Sequence, residues 1–117
     1  PPILSMAAIK ASLDIFEKVG MDALLKKSKK LTGFFEYLVN QMASDTIKII
    51  TPCNPKERGC QLSLQVKNAD KNLHKKLIKN NIITDWREPD VIRCAPVPMY
   101  TSFKDVYQMV RTLESLL

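Results

Sequence analysis

Hydrophobic and polar positions follow a helical period in the first third of the chain and a two-residue period in the middle. A first helix is predicted over residues 4–19 and ends at Gly20. A second helix is predicted over residues 21–42, because apolar positions there recur at steps of three and four. The predicted buried stripe of this second helix contains Leu24, Ser28, Leu31, Phe35, Leu38 and Met42.

Short extended segments dominate the middle of the chain. Leu62, Leu64 and Val66 alternate with polar residues, which is typical of a strand with one buried face. A short helix is predicted over residues 70–80, and a turn is predicted over residues 87–90. The predicted strands cover residues 47–51, 62–66, 82–86 and 91–94.

A last helix is predicted to begin after Ser102, because Ser102 and Asp105 have the spacing of a capping box. Its predicted core stripe is Phe103, Val106, Tyr107, Val110, Leu113 and Leu117. The element order is therefore α-α-β-β-α-β-β-α. This order predicts an α+β two-layer sandwich, in which helices cover one face of a small, mainly antiparallel sheet.

The first half of the first helix has almost no polar face. Its apolar residues are Ile3, Leu4, Met6, Ala7, Ala8, Ile9 and Ala11. A helix that is apolar all round is normally buried all round, so we expect part of this surface to contact something outside the domain. The chain also opens on Pro1 and Pro2 without an initiator Met, which predicts either an engineered chain start or a natural segment of a longer protein.

The composition is that of one ordinary folded domain. The chain has 117 residues, of which 45% are hydrophobic and 26% charged. No stretch reaches the roughly 18 consecutive apolar residues of a membrane-spanning helix, and no signal peptide is visible. The net charge is +6, from 18 basic and 12 acidic side chains, so anionic partners are permitted. Only four of the basic residues are Arg, which disfavours a nucleic-acid module.

The cysteines and the histidine predict reduced thiols rather than a metal site. Cys53, Cys60 and Cys94 cannot all pair within one chain, and their spacing does not match a zinc motif. The single histidine, His74, lies in a Lys-rich stretch. We therefore expect an intracellular, cytoplasmic protein without a metal.

The strongest chemical signal is an arginine in an apolar strand. Arg93 lies in the strand that stops at Pro96, and burying it is costly unless it meets an anion. One interpretation is an ion pair with Asp85, Asp90 or another local acid. The other is a bidentate clamp on a ligand carboxylate, which the guanidinium geometry favours. No Gly-rich phosphate loop and no Cys-His nucleophile pair is evident.

Three segments resemble kynureninase, in the same order along the chain. These are residues 1–4 (PPIL), residues 57–62 (ERGCQL) and residues 91–103 (VIRCAPVPMYTSF) followed by Asp105, Val106 and Tyr107. The resemblance covers essentially the whole chain and is most specific in the Arg-x-Ala-Pro-x-Pro-x-Tyr run. It implies the C-terminal small domain of a fold-type I pyridoxal-phosphate enzyme. Residues 1–20 would then form an interdomain helix and residues 21–117 the sandwich, with the large cofactor-binding domain absent.

The resemblance also implies an activity. The family hydrolyses L-kynurenine or 3-hydroxy-L-kynurenine to anthranilate or 3-hydroxyanthranilate and L-alanine, in tryptophan catabolism, normally as a homodimer. Arg93 matches the family arginine that binds the substrate α-carboxylate, and Arg58 and Tyr100 are weaker substrate-binding candidates. The aldimine lysine, the other pyridoxal-phosphate contacts and the catalytic residues would lie in the large domain. The chain alone is therefore predicted to be inactive, with no catalytic, cofactor-binding or metal-binding residue of its own.

Two other functional classes stay open on the sequence. A small basic α+β binding module, for RNA or another anionic partner, fits the positive charge. RNA-binding sheets usually display stacked aromatic side chains, however, and the predicted strands offer only Trp86. A structural dimerisation domain is the third class. The kynureninase interpretation, with a large domain and an amino acid substrate as partners and with neither nucleic acid nor membrane, is the one we favour.

Overall fold

A computed structural model describes residues 2–42 and 45–117. It contains four helices and four strands within these residues. The helices are α1 (Ile3–Val19), α2 (Met21–Gln41), α3 (Lys71–Lys79) and α4 (Phe103–Leu116). The strands are β1 (Ile47–Ile49), β2 (Leu62–Val66), β3 (Asp85–Arg87) and β4 (Val91–Cys94). This order and the α+β class confirm the prediction.

The four strands form one antiparallel sheet in the order β1-β2-β4-β3. In its central pair, Leu64 of β2 lies opposite Ile92 of β4, and both side chains are fully buried. Trp86 of β3 lies opposite Ile92 on the same side. Alternate residues of each strand therefore point into the core, as the two-residue period predicts.

One hydrophobic core joins this face of the sheet to α2, α3 and α4. The α2 contribution includes Leu31, Phe35 and Val39, which recur at helical spacing and are almost completely buried. Helix α2 packs against α4, and α3 packs against α4 and β3. All the helices that contribute buried residues thus lie on a single face of the sheet.

The start of α4 confirms the predicted capping box. The hydroxyl of Ser102 accepts a hydrogen bond from the Asp105 N–H at 3.2 Å, and the Asp105 carboxylate accepts one from the Ser102 N–H at 2.7 Å. These contacts satisfy two backbone donors that the first helical turn otherwise leaves unpaired. The Ser102 contacts also lower the pKa of the Asp105 carboxyl from its ordinary value of 3.8.

The predicted core stripe of α4 was too wide. Val106, Val110 and Leu113 are buried, but Phe103, Tyr107 and Leu117 are exposed. Only a narrow side of α4 is covered by its neighbours α2 and α3 and by the core. Phe103 instead packs edge-on against Phe34 of α2, with ring centroids 5.6 Å apart. In α2, Leu38 was predicted to be buried but is only half-buried. Val39, which was not in the predicted stripe, is buried in the core instead.

The third strand begins later than predicted, at Asp85 rather than at residue 82. The end of α3 uses the intervening residues, since the N–H of Ile82 donates to Leu77 O at 3.0 Å. Thr84 O accepts a hydrogen bond from His74 Nε2 at 3.0 Å. The backbone of residues 82–84 therefore follows the helix end instead of pairing in the sheet.

The first strand ends earlier than predicted, at Ile49 rather than at residue 51. The N–H of Ile50 still donates to Ser63 O at 3.0 Å. The Ser63 N–H, however, donates to the Thr51 side chain at 2.8 Å rather than to a strand carbonyl. A hydroxyl that replaces a carbonyl ends the ladder at this point.

Helix α1 lies outside the core. It contains no buried residue, and Ile3, Leu4 and Ile9 are among its exposed apolar side chains. Gly20 separates α1 from α2 with a φ of 82°, and its N–H donates to Phe16 O at 2.9 Å. The structure thus leaves unburied the apolar surface that the sequence predicts to contact something outside the domain.

Candidate functional site

The side of the sheet that the helices do not cover carries the candidate site. We call this side the open face, and the strand register defines it. Its side chains are Lys48, Ser63, Gln65, Asp85, Arg87, Val91 and Arg93. The face has no aromatic side chain, because Trp86 points into the core. The stacking platform of a sheet-type RNA module is therefore absent from these strands.

Arg93 lies in the middle of the open face. The register places Ser63 of β2 on one side of it and Asp85 of β3 on the other. Its Nε donates to Asp85 Oδ2 at 2.7 Å, and its Nη2 donates to the same oxygen. The Arg93 side chain keeps 34% of its surface exposed. Of the two interpretations of Arg93, the ion pair with Asp85 is thus present in this structure.

A second guanidinium shares the same carboxylate oxygen. Arg87 Nε donates to Asp85 Oδ2 at 3.1 Å. The hydrogen bond from Arg93, with the positive charges of Arg87 and Arg93, lowers the pKa of the Asp85 carboxyl from its ordinary value of 3.8. Asp85 is therefore ionised at neutral pH. Two positive charges and one negative charge leave this part of the open face positive and suited to an anion.

The Arg93 fork retains unused hydrogen-bonding capacity. A guanidinium has five N–H donors, and Asp85 takes only the Nε and Nη2 side. Among residues 2–42 and 45–117, no acceptor is hydrogen-bonded to Arg93 Nη1. The exposed end of the fork can therefore receive a carboxylate with two charge-assisted hydrogen bonds.

Arg58 occupies a different environment. Its side chain is only 3% exposed, and Nη2 pairs with Glu36 Oε2 of α2 at 2.5 Å. Its Nη1 donates to Pro52 O at 3.2 Å. Because α2 packs on the covered side of the sheet, the structure does not bring Arg58 to Arg93. These contacts give Arg58 a structural role, and its part in substrate binding stays a prediction.

Tyr100 is also separate from the open face. It lies in a turn where its N–H donates to Val97 O at 3.3 Å, and the residue is 76% exposed. It lines a broad groove of about 770 Å³ beside α4, together with Pro96 and Tyr107. Its substrate-binding role likewise stays a prediction.

The thiols and the histidine form no nucleophile pair in the structure. Burial raises the pKa of the Cys94 thiol to about 12, so Cys94 is protonated and unreactive at neutral pH. Cys53 and Cys60 are also free thiols. Over residues 2–42 and 45–117 there is no cluster of His, Cys, Asp and Glu that could hold a metal ion. Within the same ranges, no helix has the length and apolar character needed to cross a membrane.

Two features of the site were missed in the sequence. Arg87 was assigned to a turn, whereas it ends β3 and faces the same way as Asp85. The alternation of Asp85, Trp86 and Arg87 around one apolar residue was the available signal. Glu36, the partner of Arg58, lies 22 residues away in the chain, and no local pattern marks it.

The fold and the open-face arginine define a small α+β domain with a candidate anion site. Comparison with known proteins identifies the family. The chain belongs to the kynureninase family, because the family model described as the kynureninase C-terminal domain matches residues 24–113. This match confirms the resemblance drawn from the three sequence segments.

Individual kynureninases are similar over nearly the whole chain. The kynureninase of Myxococcus xanthus is 47% identical over 97% of this chain and 27% of its own length. That of Xanthomonas campestris strain B100 is 44% identical over 98% of this chain and 28% of its own length. That of Koribacter versatilis is 43% identical over 95% and 26%, respectively. The chain therefore spans little more than a quarter of the length of these relatives.

Proposed function

We propose that this chain is the substrate-carboxylate-binding domain of a pyridoxal-phosphate-dependent kynureninase. The complete enzyme would hydrolyse L-kynurenine or 3-hydroxy-L-kynurenine to anthranilate or 3-hydroxyanthranilate and L-alanine. Membership of the family supports the reaction. The contribution of this chain is to bind the α-carboxylate and to orient the substrate.

One observation carries the assignment to this chain. Arg93, in the run that is most specific to the family, lies on the open face with the end of its guanidinium unpaired and one third of its side chain exposed. An amino acid substrate always presents an α-carboxylate. A bidentate contact with it fixes two atoms of the substrate and so restricts the orientation of its Cα.

The residues of this chain do not fit the cofactor itself. None of the 14 lysines is buried, and all except the half-buried Lys27 are exposed. An aldimine lysine is usually desolvated, which lowers its pKa and makes the amine nucleophilic. Pyridoxal phosphate supplies an electron sink for the carbanion beside the amino acid nitrogen. We therefore expect its ligands in the part of the family's length that this chain does not span, and we expect the chain alone to be inactive.

Helix α1 is the proposed contact with the large domain. Seven of its large apolar side chains, from Ile3 to Phe16, are exposed to solvent in this chain. Each large apolar side chain gains about 1.5–3 kcal/mol when it is buried. We expect the isolated chain to bind hydrophobic dyes and self-associate, and the Leu4→Glu and Ile9→Glu double variant to do so less. A dye-silent, monodisperse wild-type chain at high concentration would contradict this proposal.

The assembly and the compartment belong to the same proposal. We infer a homodimer for the complete enzyme, as is usual in the family, and sedimentation velocity would measure it. The three free thiols support a reducing, cytoplasmic environment. The open face without aromatic side chains supports the absence of a nucleic-acid partner, and an oligonucleotide titration at low salt would test that absence.

The central experiment compares ligands that differ only in the carboxylate. We call the kynureninase polypeptide that carries this sequence as its C-terminal domain, loaded with pyridoxal phosphate, the holoenzyme. The inhibitors are a kynurenine analogue and the same molecule with hydrogen in place of the α-carboxylate. The wild-type holoenzyme should bind the carboxylate form at least about tenfold more tightly, and Arg93→Ala should remove the difference.

A matched control uses another arginine of this chain. Arg111 is exposed on α4 and pairs with Glu114, away from the open face. Arg111→Ala should therefore keep the preference for the carboxylate form. Retention of the full preference in Arg93→Ala would remove Arg93 from the substrate site.

A further inference from the structure

The Asp85 carboxylate is the most connected group on the open face. Its Oδ2 accepts hydrogen bonds from Arg93 Nε at 2.7 Å and from Arg87 Nε at 3.1 Å, and also from Arg93 Nη2. Asp85 and Arg93 are direct cross-strand partners in the antiparallel pair of β3 and β4. The sheet backbone therefore sets the separation of the two side chains before any ligand binds.

The contact with Asp85 selects one edge of the Arg93 fork. The Asp85 carboxylate, on the same face from the neighbouring strand β3, engages the edge formed by Nε and Nη2. The adjacent edge, formed by Nη1 and the second Nη2 hydrogen, is left for another acceptor. A long arginine side chain has many rotamers. The hydrogen bonds from Arg93 Nε and Nη2 to Asp85 Oδ2 restrict the rotamers of Arg93.

We propose that Asp85 is a positioning residue, which holds the Arg93 guanidinium so that its unpaired edge meets the substrate carboxylate. This inference rests on the proposed function of Arg93. Arg87 extends the arrangement, because its contact holds the Asp85 carboxylate from the end of β3 that leads into the turn. Asp85 is ionised at neutral pH, and its lowered pKa extends this ionised form, which holds Arg93, into the acid range.

The opposite role for Asp85 would be competition with the substrate carboxylate. As an anion beside the guanidinium, Asp85 would lie roughly 6–7 Å from a bound carboxylate, a repulsion that can weaken binding by up to about 70-fold at the effective dielectric of about 20 near a protein surface. Arg87 contacts the same Asp85 oxygen and offsets much of that negative charge. A guanidinium displaced by about 1 Å can cost up to about 100-fold. Positioning therefore outweighs repulsion, and removal of Asp85 should weaken substrate binding rather than strengthen it.

The test measures KM and kcat of holoenzyme variants with kynurenine. Asp85→Ala should raise KM about 10- to 100-fold with a smaller change in kcat, because binding orientation is lost while the chemistry lies elsewhere. Asp85→Asn retains an acceptor oxygen and should show a smaller rise. Asp90→Asn is the matched control, since Asp90 accepts from Gln65 Nε2 at 3.1 Å and not from an arginine. It should leave KM near the wild-type value.

A double-mutant comparison distinguishes this inference from the proposed function. In the Arg93→Ala background, Asp85→Ala should have no further effect on KM, because the group that it positions is gone. Asp85→Ala should also weaken the preference for the carboxylate form of the inhibitor, a readout that a structural role would not move. Thermal unfolding and cofactor absorbance verify that each variant is folded and loaded.

Each remaining outcome decides one of the two claims. If Arg93→Ala is harmless, the proposed function fails. If Arg93→Ala is harmful and Asp85→Ala lowers KM, Asp85 competes with the substrate and the positioning inference is overturned. The inference is equally overturned if Asp85→Ala raises KM by the same factor with and without Arg93, or if it leaves KM unchanged.

Discussion

Arg58 and Arg93 both pair with a carboxylate, yet they occupy opposite sides of the sheet. The Arg58 side chain is 3% exposed and contacts Glu36 on the helix-covered side, whereas Arg93 is 34% exposed on the open face. A buried arginine needs its partner in order to be tolerated in the fold. An arginine at a surface can keep its partner and still receive a ligand. The ion pair alone therefore does not reveal which arginine is functional.

The remaining hydrogen-bonding capacity separates the two arginines. Arg58 directs Nη1 to a carbonyl and Nη2 to Glu36, and its buried Nε has no partner among the described residues. That Nε cannot reach a ligand because it is enclosed. Arg93 uses Nε and Nη2 on a single oxygen and leaves the solvent-facing edge available. Accessible donors, rather than charge, are what a substrate carboxylate requires.

The largest expected effect is on catalysis. Arg93→Ala in the holoenzyme should lower kcat/KM about 100- to 1,000-fold, or roughly 3–4 kcal/mol, because both binding and orientation of the substrate are lost. Folding and cofactor absorbance should survive, since Arg93 lies outside the core and the cofactor ligands are proposed to lie outside this chain. Steady-state kinetics provide the measurement. A near-normal kcat/KM would show that Arg93 does not bind the substrate. An unfolded variant would show that Arg93, like Arg58, has a structural role.

The second effect is on stability. Arg58→Met should lower the free energy of unfolding of the chain by about 2–3 kcal/mol, below the range for fully buried pairs because Glu36 stays 23% exposed. Urea unfolding measures it. Adding Glu36→Gln should restore part of the loss, because the unpaired charge is then removed. The exposed pair of Arg111 and Glu114 offers a control, since Arg111→Ala should cost less than about 1 kcal/mol.

A smaller effect distinguishes charge from shape at Arg93. Arg93→Lys keeps the positive charge but loses the planar fork that receives a carboxylate through two hydrogen bonds. We expect this variant to recover part of the activity that Arg93→Ala loses and to remain about tenfold below wild type in kcat/KM. Full recovery in steady-state kinetics would show that a point charge suffices on the open face.

The smallest effect concerns the acid pH range. Because the pKa of Asp85 in the folded chain lies below its ordinary value of 3.8, its ionised form stabilises the fold above that pH. The contribution is lost as the pH falls through the folded-state pKa. The difference in unfolding midpoint between wild type and Asp85→Asn should therefore shrink from pH 7 to about pH 2.5. A constant difference over that range would show that the pair with Arg93 contributes nothing through charge.

Local patterns predicted most of the fold, whereas tertiary pairing limited the prediction of the site. The alternation of Leu62 and Leu64 and the capping box at Ser102 depend on neighbouring residues, and both predictions are confirmed. The third strand began too early in the prediction, because residues 82–84 bond to the end of α3. The hydrophobic periodicity of the sequence does not show whether these residues will hydrogen-bond to the helix or to the sheet.

The site shows the same division. Arg93 could be singled out because a charged residue in an apolar strand is conspicuous, and Asp85 was named among its potential partners. The ion pair of Arg58 with Glu36 could not be anticipated, because it joins a loop to a helix that is distant in sequence. The exposure of Tyr107 depends on how much of α4 the neighbouring helices cover, and this is also a tertiary property.

Gly20 has a consequence for how such a domain is attached to its neighbours. Its φ of 82° lies in the left-handed region, and no atom lies within 4 Å of the position that a Cβ would occupy. Another residue there would incur local backbone strain on the order of 1–3 kcal/mol but would not collide with more distant parts of the chain. The backbone conformation of Gly20 sets the direction of α1 relative to α2, and Gly20 is part of neither the core nor the open face. If α1 contacts the large domain as proposed, its direction can therefore change at Gly20 while the core and the open face stay the same.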